Sequence, residues 1–339
     1  MTKLRMGVAG TGLFGERHLQ TYSSYWRSDL SGIFDINLSR ALEMKNKYGA
    51  KKVYNSLEEM LDDSEIDGIS IATPDNLHRD IAVAAAKAGK HILIEKPLST
   101  NLNEAKDIVD AVRDNNVFAM VDFHNRINPQ FTILKDSIAG GEIGELKYMY
   151  FRLSNTLAVP MKMLSWSGNS SSLWFLGSHI VDLGRWLCQS EVKKISAVSR
   201  MGVLSSKGIN CPDFYVATLE FENGTVGVFE NSWILPTTQP TVKDFLVEIL
   251  GDKGAFYVDA ANNRTVQKYT ADKYSFPDLF AVNSNPRCPS GFVFESIRYF
   301  VDAVLDTRQP LATVEDGFEN TKILCGIEEA AKSGNSIQM

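Results

Sequence analysis

Three groups of residues in this chain have types and spacings that can do chemistry. The first is His91-Ile-Leu-Ile-Glu-Lys-Pro97, a short apolar run that stops abruptly in a charged pair and a proline. That pattern predicts a buried parallel strand. Ligands of open parallel sheets bind beyond the carboxyl ends of the strands, so Glu95 and Lys96 are expected in that crevice. The second group is Gly10-Thr11-Gly12-Leu13-Phe14-Gly15, which follows the strand candidate Arg5-Met-Gly-Val-Ala-Gly10 and opens a helix carrying Leu19 and Tyr22 on one face. Gly10 allows a tight turn, Gly12 lets backbone approach a pyrophosphate, and Gly15 lets helix and strand pack closely; the helix amides then hold phosphate. Asp35 closes the run Leu30-Ser-Gly-Ile-Phe-Asp35, about 20 residues on, where a carboxylate binds ribose hydroxyls and repels a 2′-phosphate. NAD is therefore expected over NADP, although Arg40 nearby leaves NADP and dual use open. The third group is Gly177-Ser-His179-Ile-Val-Asp182-Leu-Gly-Arg185-Trp-Leu187, a helical pattern in which His179 and Asp182 share a face and Ile180, Leu183 and Leu187 form an apolar stripe.

The elements that must position these groups alternate through the first half. Helices are expected over 39–48, 56–61, 81–88 and 104–113, with strands over 53–54, 68–72 and 117–121. Pro74 in Thr73-Pro74-Asp75-Asn76-Leu77-His78 forces a turn at another strand end. Strand–helix alternation predicts an α/β Rossmann domain, a doubly wound parallel sheet over 1–123. Beyond it, a linking helix over 128–138 precedes strand runs at 146–153, 194–203, 213–221, 225–232 and 245–250. Asn223-Gly224 is a hairpin signal, and Gly251-Asp-Lys-Gly254 marks a turn before a run at 255–258. With helices over 294–305 and 317–331, residues 124–339 are expected to form an α+β domain with a large, mostly antiparallel open sheet.

The chain has 339 residues and a net charge of −6, which gives no support for a nucleic-acid partner. No apolar run reaches the ~20 residues needed to cross a bilayer. The N-terminal stretch shows no secretory core, and Cys188, Cys211, Cys288 and Cys325 show no metal-like spacing. A cytoplasmic enzyme with reduced thiols and no bound metal is expected.

Taken in order, GTGLFG, Asp35, TPDNLH, IEKP and HNRINP at 124–129 resemble the Gfo/Idh/MocA oxidoreductases, which include glucose–fructose oxidoreductase and inositol dehydrogenase. The resemblance implies that Lys96 reaches the nicotinamide ribose and the substrate hydroxyl, that Glu95 helps hold the cofactor, and that the Lys96–Pro97 bond is cis. It places Thr73, Pro74, Asn76 and His78 along the cofactor, with packing or capping of the following helix as the other role for His78. Asn125 and Arg126 fall near the nicotinamide end. The G-x-H-x-x-D segment implies a catalytic His179, with Asp182 orienting a neighbour. Many relatives carry an aspartate four residues before that histidine; this chain has Phe175 there, so the acidic member of the usual Lys/Asp/His trio is missing.

These residues fit hydride transfer from a secondary alcohol. Lys96, with its pKa lowered by partial burial and a nearby nicotinamide cation, ranks first as acid–base group. His179 ranks second, since an imidazole titrates near ~6.5. Trp166, Trp174 and Phe175 suit the C–H face of a sugar, glycoside or cyclic polyol, or else they are core. Arg152 and Lys162 are weaker candidates, for an acidic sugar. The other readings are an NAD-dependent glycoside hydrolase using transient oxidation and a non-catalytic NAD(H)-binding sensor. A homodimer or homotetramer is expected from the family's open sheet.

Overall fold

A computed structural model describes residues 2–261, 266–272, 274–283 and 289–339; Cys288 lies outside the described residues. In chain order the first elements are β1 (Leu4–Ala9), α1 (Leu13–Ser24), β2 (Ser28–Phe34), α2 (Leu38–Tyr48), β3 (Lys52–Val53), α3 (Leu57–Asp62), β4 (Gly68–Ile71), α4 (His78–Lys87), β5 (His91–Ile94), α5 (Leu102–Asn115) and β6 (Ala119–Val121). Then come α6 (Pro129–Ala139), β7 (Leu146–Thr156), α7 (Ser178–Cys188), β8 (Val192–Arg200), β9 (Phe214–Phe221), β10 (Val226–Leu235), β11 (Lys243–Gly251) and β12 (Ala255–Asp259). The ribbon β13 (Lys268–Tyr269) and β14 (Tyr274–Ser275), then α8 (Phe292–Asp306), α9 (Val314–Ser333) and β15 (Ile337–Gln338), complete the chain.

The first compact unit comprises Met1–Ile127 and Phe280–Thr321. Its sheet runs β3-β2-β1-β4-β5-β6, and every pairing is parallel. Both faces are covered, as near-continuous apolar strands require. On one face Ile69, Ile71, Ile92 and Ile94 pack with Ala82 and Ala85 of α4 and Ile108 of α5. On the other, Met6, Val8 and Leu93 pack with Leu19 of α1, Ala41 of α2 and Ile297, Phe300 and Val301 of α8. Here the structure differs from the reading that assigns all of 124–339 to one domain. The apolar stripe of α8 predicts a helix without saying which sheet it covers. Arg27 settles its seat, pairing with Asp302 at 2.6 Å and also with Asp306.

The second compact unit comprises Asn128–Leu279 and Lys322–Met339. Its sheet has the order β12-β11-β7-β10-β9-β8-β15. All of these pairings are antiparallel except β7 with β10, which is parallel. Strand alternation sorts its residues by face. Phe151, Leu153, Phe229 and Trp233 join Ile180, Leu183 and Leu187 of α7 and Ile323 and Ile327 of α9 in one core. The opposite face carries paired polar groups: Tyr150 donates to Glu230 at 2.6 Å, and Arg152 pairs with Asp244 at 2.8 Å. Among the described residues no helix is long and apolar enough to cross a membrane.

Candidate active site

The carboxyl ends of β1, β2, β4, β5 and β6 deliver Gly10, Asp35, Thr73, Glu95–Lys96 and Asp122 to one edge of the first sheet. The turn after β1 requires its glycines. Gly10 has φ +89°, and a Cβ on Gly15 would sit 2.0 Å from the Gly10 carbonyl oxygen. Above Gly12 nothing lies within 4 Å of where a Cβ would be. This is the open space a pyrophosphate needs, and α1 begins there without a side-chain cap. By contrast α2 and α5 are capped by Asn37 and Asn101. Leu13 is exposed, whereas Phe14 is half-buried and stacks on His124 with centroids 6.3 Å apart.

Asp35 is aimed by the same turn. One carboxylate oxygen accepts from the Thr11 amide at 2.7 Å and the Thr11 hydroxyl at 2.6 Å, and the other from the Asn37 amide at 2.8 Å. Arg40 is matched by Glu16 at 3.1 Å and Glu43 at 2.9 Å, so its charge is already balanced by protein carboxylates. Ile36, 94 % exposed beside Asp35, offers open apolar surface suited to a purine; the apolar residue directly after the Asp35 carboxylate was the available sequence signal.

Lys96 is 6 % exposed. Burial lowers its ammonium pKa, against the opposing charges of Glu95, Asp75 and Asp122. The Lys96–Pro97 bond is cis. Glu95 does not stand alone: His18 Nε2 lies 3.0 Å from its Oε1. Burial pushes the Glu95 carboxyl up, but the His18 hydrogen bond and the positive groups around it win and hold it low. The Asp122 carboxyl is pushed up to about 7 by burial and by Glu95. His78 bridges two loops, its ring nitrogens lying 2.8 Å from the Pro97 carbonyl and 3.1 Å from the Thr73 carbonyl. It is therefore occupied in stitching the segment after β4 to the turn after β5. Among the described residues the Thr73 hydroxyl has no partner; Pro74 is half-buried and Asn76 is exposed. Asn125 is buried; Arg126 is anchored at 3.0 Å to both the Leu311 carbonyl and Asp316, a structural seat.

In the second unit, His179 and Asp182 are buried on the first turns of α7. A π-helical turn, Leu173–Gly177, leads into α7 and carries Phe175. The Phe175 ring lies between Trp166 and Trp233, with centroids 6.0 Å and 5.9 Å away. Trp174 is turned elsewhere, donating its indole N–H to Glu328 of α9 at 2.9 Å. Arg152 alternates with Phe151 and so lies on the sheet face opposite α7, where Asp244 holds it. Lys162 is exposed on a short π-helical turn, Val159–Met163. Sequence reasoning missed Asn155, Asn231 and Trp233. Among the described residues, Asn155 Oδ1, Asn231 Oδ1 and the Trp233 indole N–H are buried polar atoms without protein partners. The signal was available in β10, where a polar Asn231 stands between Phe229 and Trp233 on the inner face.

Comparison with known proteins agrees with this arrangement. Residues 4–123 match the model of an oxidoreductase family with an NAD-binding Rossmann fold, and residues 131–257 match the GFO/IDH/MocA C-terminal domain. The chain is 28% identical to myo-inositol 2-dehydrogenase of Thermotoga maritima over 322 residues, covering 93% of this chain and 92% of the relative. It is 30% identical to levoglucosan dehydrogenase of Pseudarthrobacter phenanthrenivorans over 264 residues, covering 68% and 67%. A solved levoglucosan dehydrogenase in complex with NADH and levoglucosan is 25% identical and superposes with a TM-score of 0.84, covering 99% of both chains. With both family domains matched in order, and a glycine turn, Asp35 and a buried lysine at one sheet edge, this chain belongs to the GFO/IDH/MocA family of NAD-binding oxidoreductases.

Proposed function

We propose that this protein is an NAD-dependent dehydrogenase acting on a secondary hydroxyl of a sugar, glycoside or cyclic polyol. The carrying observation is Lys96, a buried lysine at the carboxyl end of β5 on the same sheet edge as the open Gly12 turn. Gly10 to Phe14 and Asp35 would hold the cofactor, whose nicotinamide supplies the hydride acceptor when bound. Oxidation also requires that a proton leave the substrate oxygen. Lys96 takes that proton as a neutral amine, a form that burial favours. His179 assists as a second polar group on the hydroxyl. Phe175, seated among tryptophans, leaves no carboxylate at that position to stabilise an imidazolium, so Lys96 carries most of the proton chemistry. Trp166 and Phe175, both half-buried against the enclosed Trp233, supply aromatic surface for a ring's C–H face.

A panel of sugars, glycosides and cyclic polyols with NAD and NADP, followed by absorbance of the reduced cofactor, tests this reading. Turnover is expected with NAD, and Lys96→Met should lower kcat by at least about 100-fold, the usual scale for a general base. Full turnover in that variant sinks the assignment; cleavage of a chromogenic glycoside without net NADH favours transient-redox hydrolysis instead. We further infer a cytoplasmic homodimer or homotetramer. Among the described residues no cysteine is in a disulfide, and the sheet of the second unit leaves Tyr257 76 % exposed and Val198 and Leu250 about half exposed. Sedimentation equilibrium reads the assembly directly.

A further inference from the structure

Beneath Lys96 lies a polar network buried in an otherwise apolar layer. His18 and Tyr22, one turn apart on α1, both reach Ser70 of β4: the Tyr22 hydroxyl at 2.5 Å and His18 Nδ1 at 3.0 Å. His18 Nε2 meets Glu95 Oε1 at 3.0 Å. Asp122, at the end of β6, accepts from the Ser296 hydroxyl of α8 through one oxygen, while its other oxygen has no partner among the described residues. One ligand atom each from His18, Glu95 and Asp122 lies within 4.8 Å of the others, and His18, Ser70, Asp122 and Ser296 are fully enclosed.

The hydrogen-bond directions follow from chemistry. An ionised carboxylate only accepts, so His18 donates from Nε2 to Glu95. A neutral ring then accepts at Nδ1 from the Ser70 hydroxyl, which in turn accepts from Tyr22, whose phenol burial keeps protonated. Two buried carboxyls this close resist ionising together, and burial and Glu95 raise the Asp122 carboxyl, so the pair's proton is favoured on Asp122. An N–H donor directed at Glu95 alone favours the same assignment.

We propose that His18 is a positioning residue for Lys96: its Nε2–H fixes the Glu95 carboxylate and assigns the pair's single negative charge to Glu95, the residue joined directly to Lys96, leaving Asp122 neutral. The role rests on the dehydrogenase reading for its catalytic meaning, but not for its physical content. The titratable groups acting at this point are Glu95 on the same turn, Asp75 after β4, Asp122 and His124 after β6, and His18 from α1. Glu95 acts more strongly on Lys96 than Asp122 does. If the charge migrates from Glu95 to Asp122, the Lys96 ammonium loses its nearer counter-charge and titrates at lower pH.

Two substitutions separate positioning from packing. Gln at 18 places an amide N–H near Nε2 and keeps the bond to Glu95, while Asn reaches only as far as Nδ1 and loses it. The Lys96 side chain is followed by 13C NMR in cofactor-free, lysine-labelled protein, with its signal assigned by Lys96→Met. His18→Asn should move the titration midpoint down by about half a unit or more, and His18→Gln should leave it near the wild-type value. The rising limb of kcat against pH should move likewise on any substrate found in the panel. An unmoved midpoint in His18→Asn, or an equal shift in His18→Gln, overturns the proposal. Should His18→Asn fail to fold, Glu95→Gln decides: a midpoint that does not fall overturns it. Absence of turnover in the wild type would refute the dehydrogenase reading, while the NMR titration still judges His18.

Discussion

Asp122 couples stability to pH. Its carboxyl rises from an ordinary 3.8 to about 7 in the folded protein because burial and Glu95 disfavour its charge. The folded state then binds more protons than the unfolded chain between those values, so Asp122 makes stability fall as pH rises from about 4 to 7. Asp122→Asn should remove that slope, which thermal melts would show as a gain of a few degrees that is larger at pH 8 than at pH 5. A slope unchanged by the substitution would place the proton elsewhere. Asp35 makes a different prediction. Its oxygens are already directed by Thr11 and Asn37, and Arg40 is balanced by two glutamates. Asp35→Ser should weaken NAD binding by roughly 1–2 kcal/mol, the scale of a charge-assisted hydrogen bond. It should raise NADP binding at least several-fold, because it removes a like charge from the place a 2′-phosphate would occupy. Cofactor titration by NADH and NADPH fluorescence measures both.

At the element scale, the start of α1 is constrained from both sides. Gly15 lies against the Gly10 carbonyl, a backbone atom that cannot rotate away, and Gly12 must stay open above. Gly15→Ala is expected to cost at least about 2 kcal/mol, at the upper part of the range for overpacking, because backbone must move. Urea unfolding checks this: loss of less than 0.5 kcal/mol would mean that the turn adapts. The same helix carries His18 and Tyr22, so a shift at Gly15 would also disturb the network under Glu95. In the second unit, the run from Leu173 to Cys188 joins a π-helical turn to α7, which brings Phe175 to Trp233 while Trp174 turns to α9. Adjacent aromatic residues thus part company for a reason of helix phase.

At the scale of the molecule, α8 returns to complete the first unit. Ile297, Phe300 and Val301 are fully buried against Met6, Leu93 and Met120, and Ser296 reaches Asp122. A fragment ending at Ile127 should therefore leave this face of the sheet uncovered, bind the dye ANS and melt without cooperativity; a cooperative two-state melt would show that α8 is dispensable. The parallel sheet and the places of the glycine turn, Asp35 and Lys96 at its strand ends were legible in the chain because they depend on local pattern. A glycine spacing, a strand period and a proline act over a few neighbouring residues, and their order along the chain pointed to the family. The seat of α8, the parallel pairing of β7 with β10, the diversion of Arg152 and Trp174, and the convergence of His18, Glu95, Asp122 and Ser296 were not legible. An apolar stripe or a buried polar residue states that it needs a partner, but partners hundreds of positions apart are chosen only when the chain is packed. The sequence alone determined which groups can do chemistry; tertiary structure decided which of them are held, neutralised or left to act.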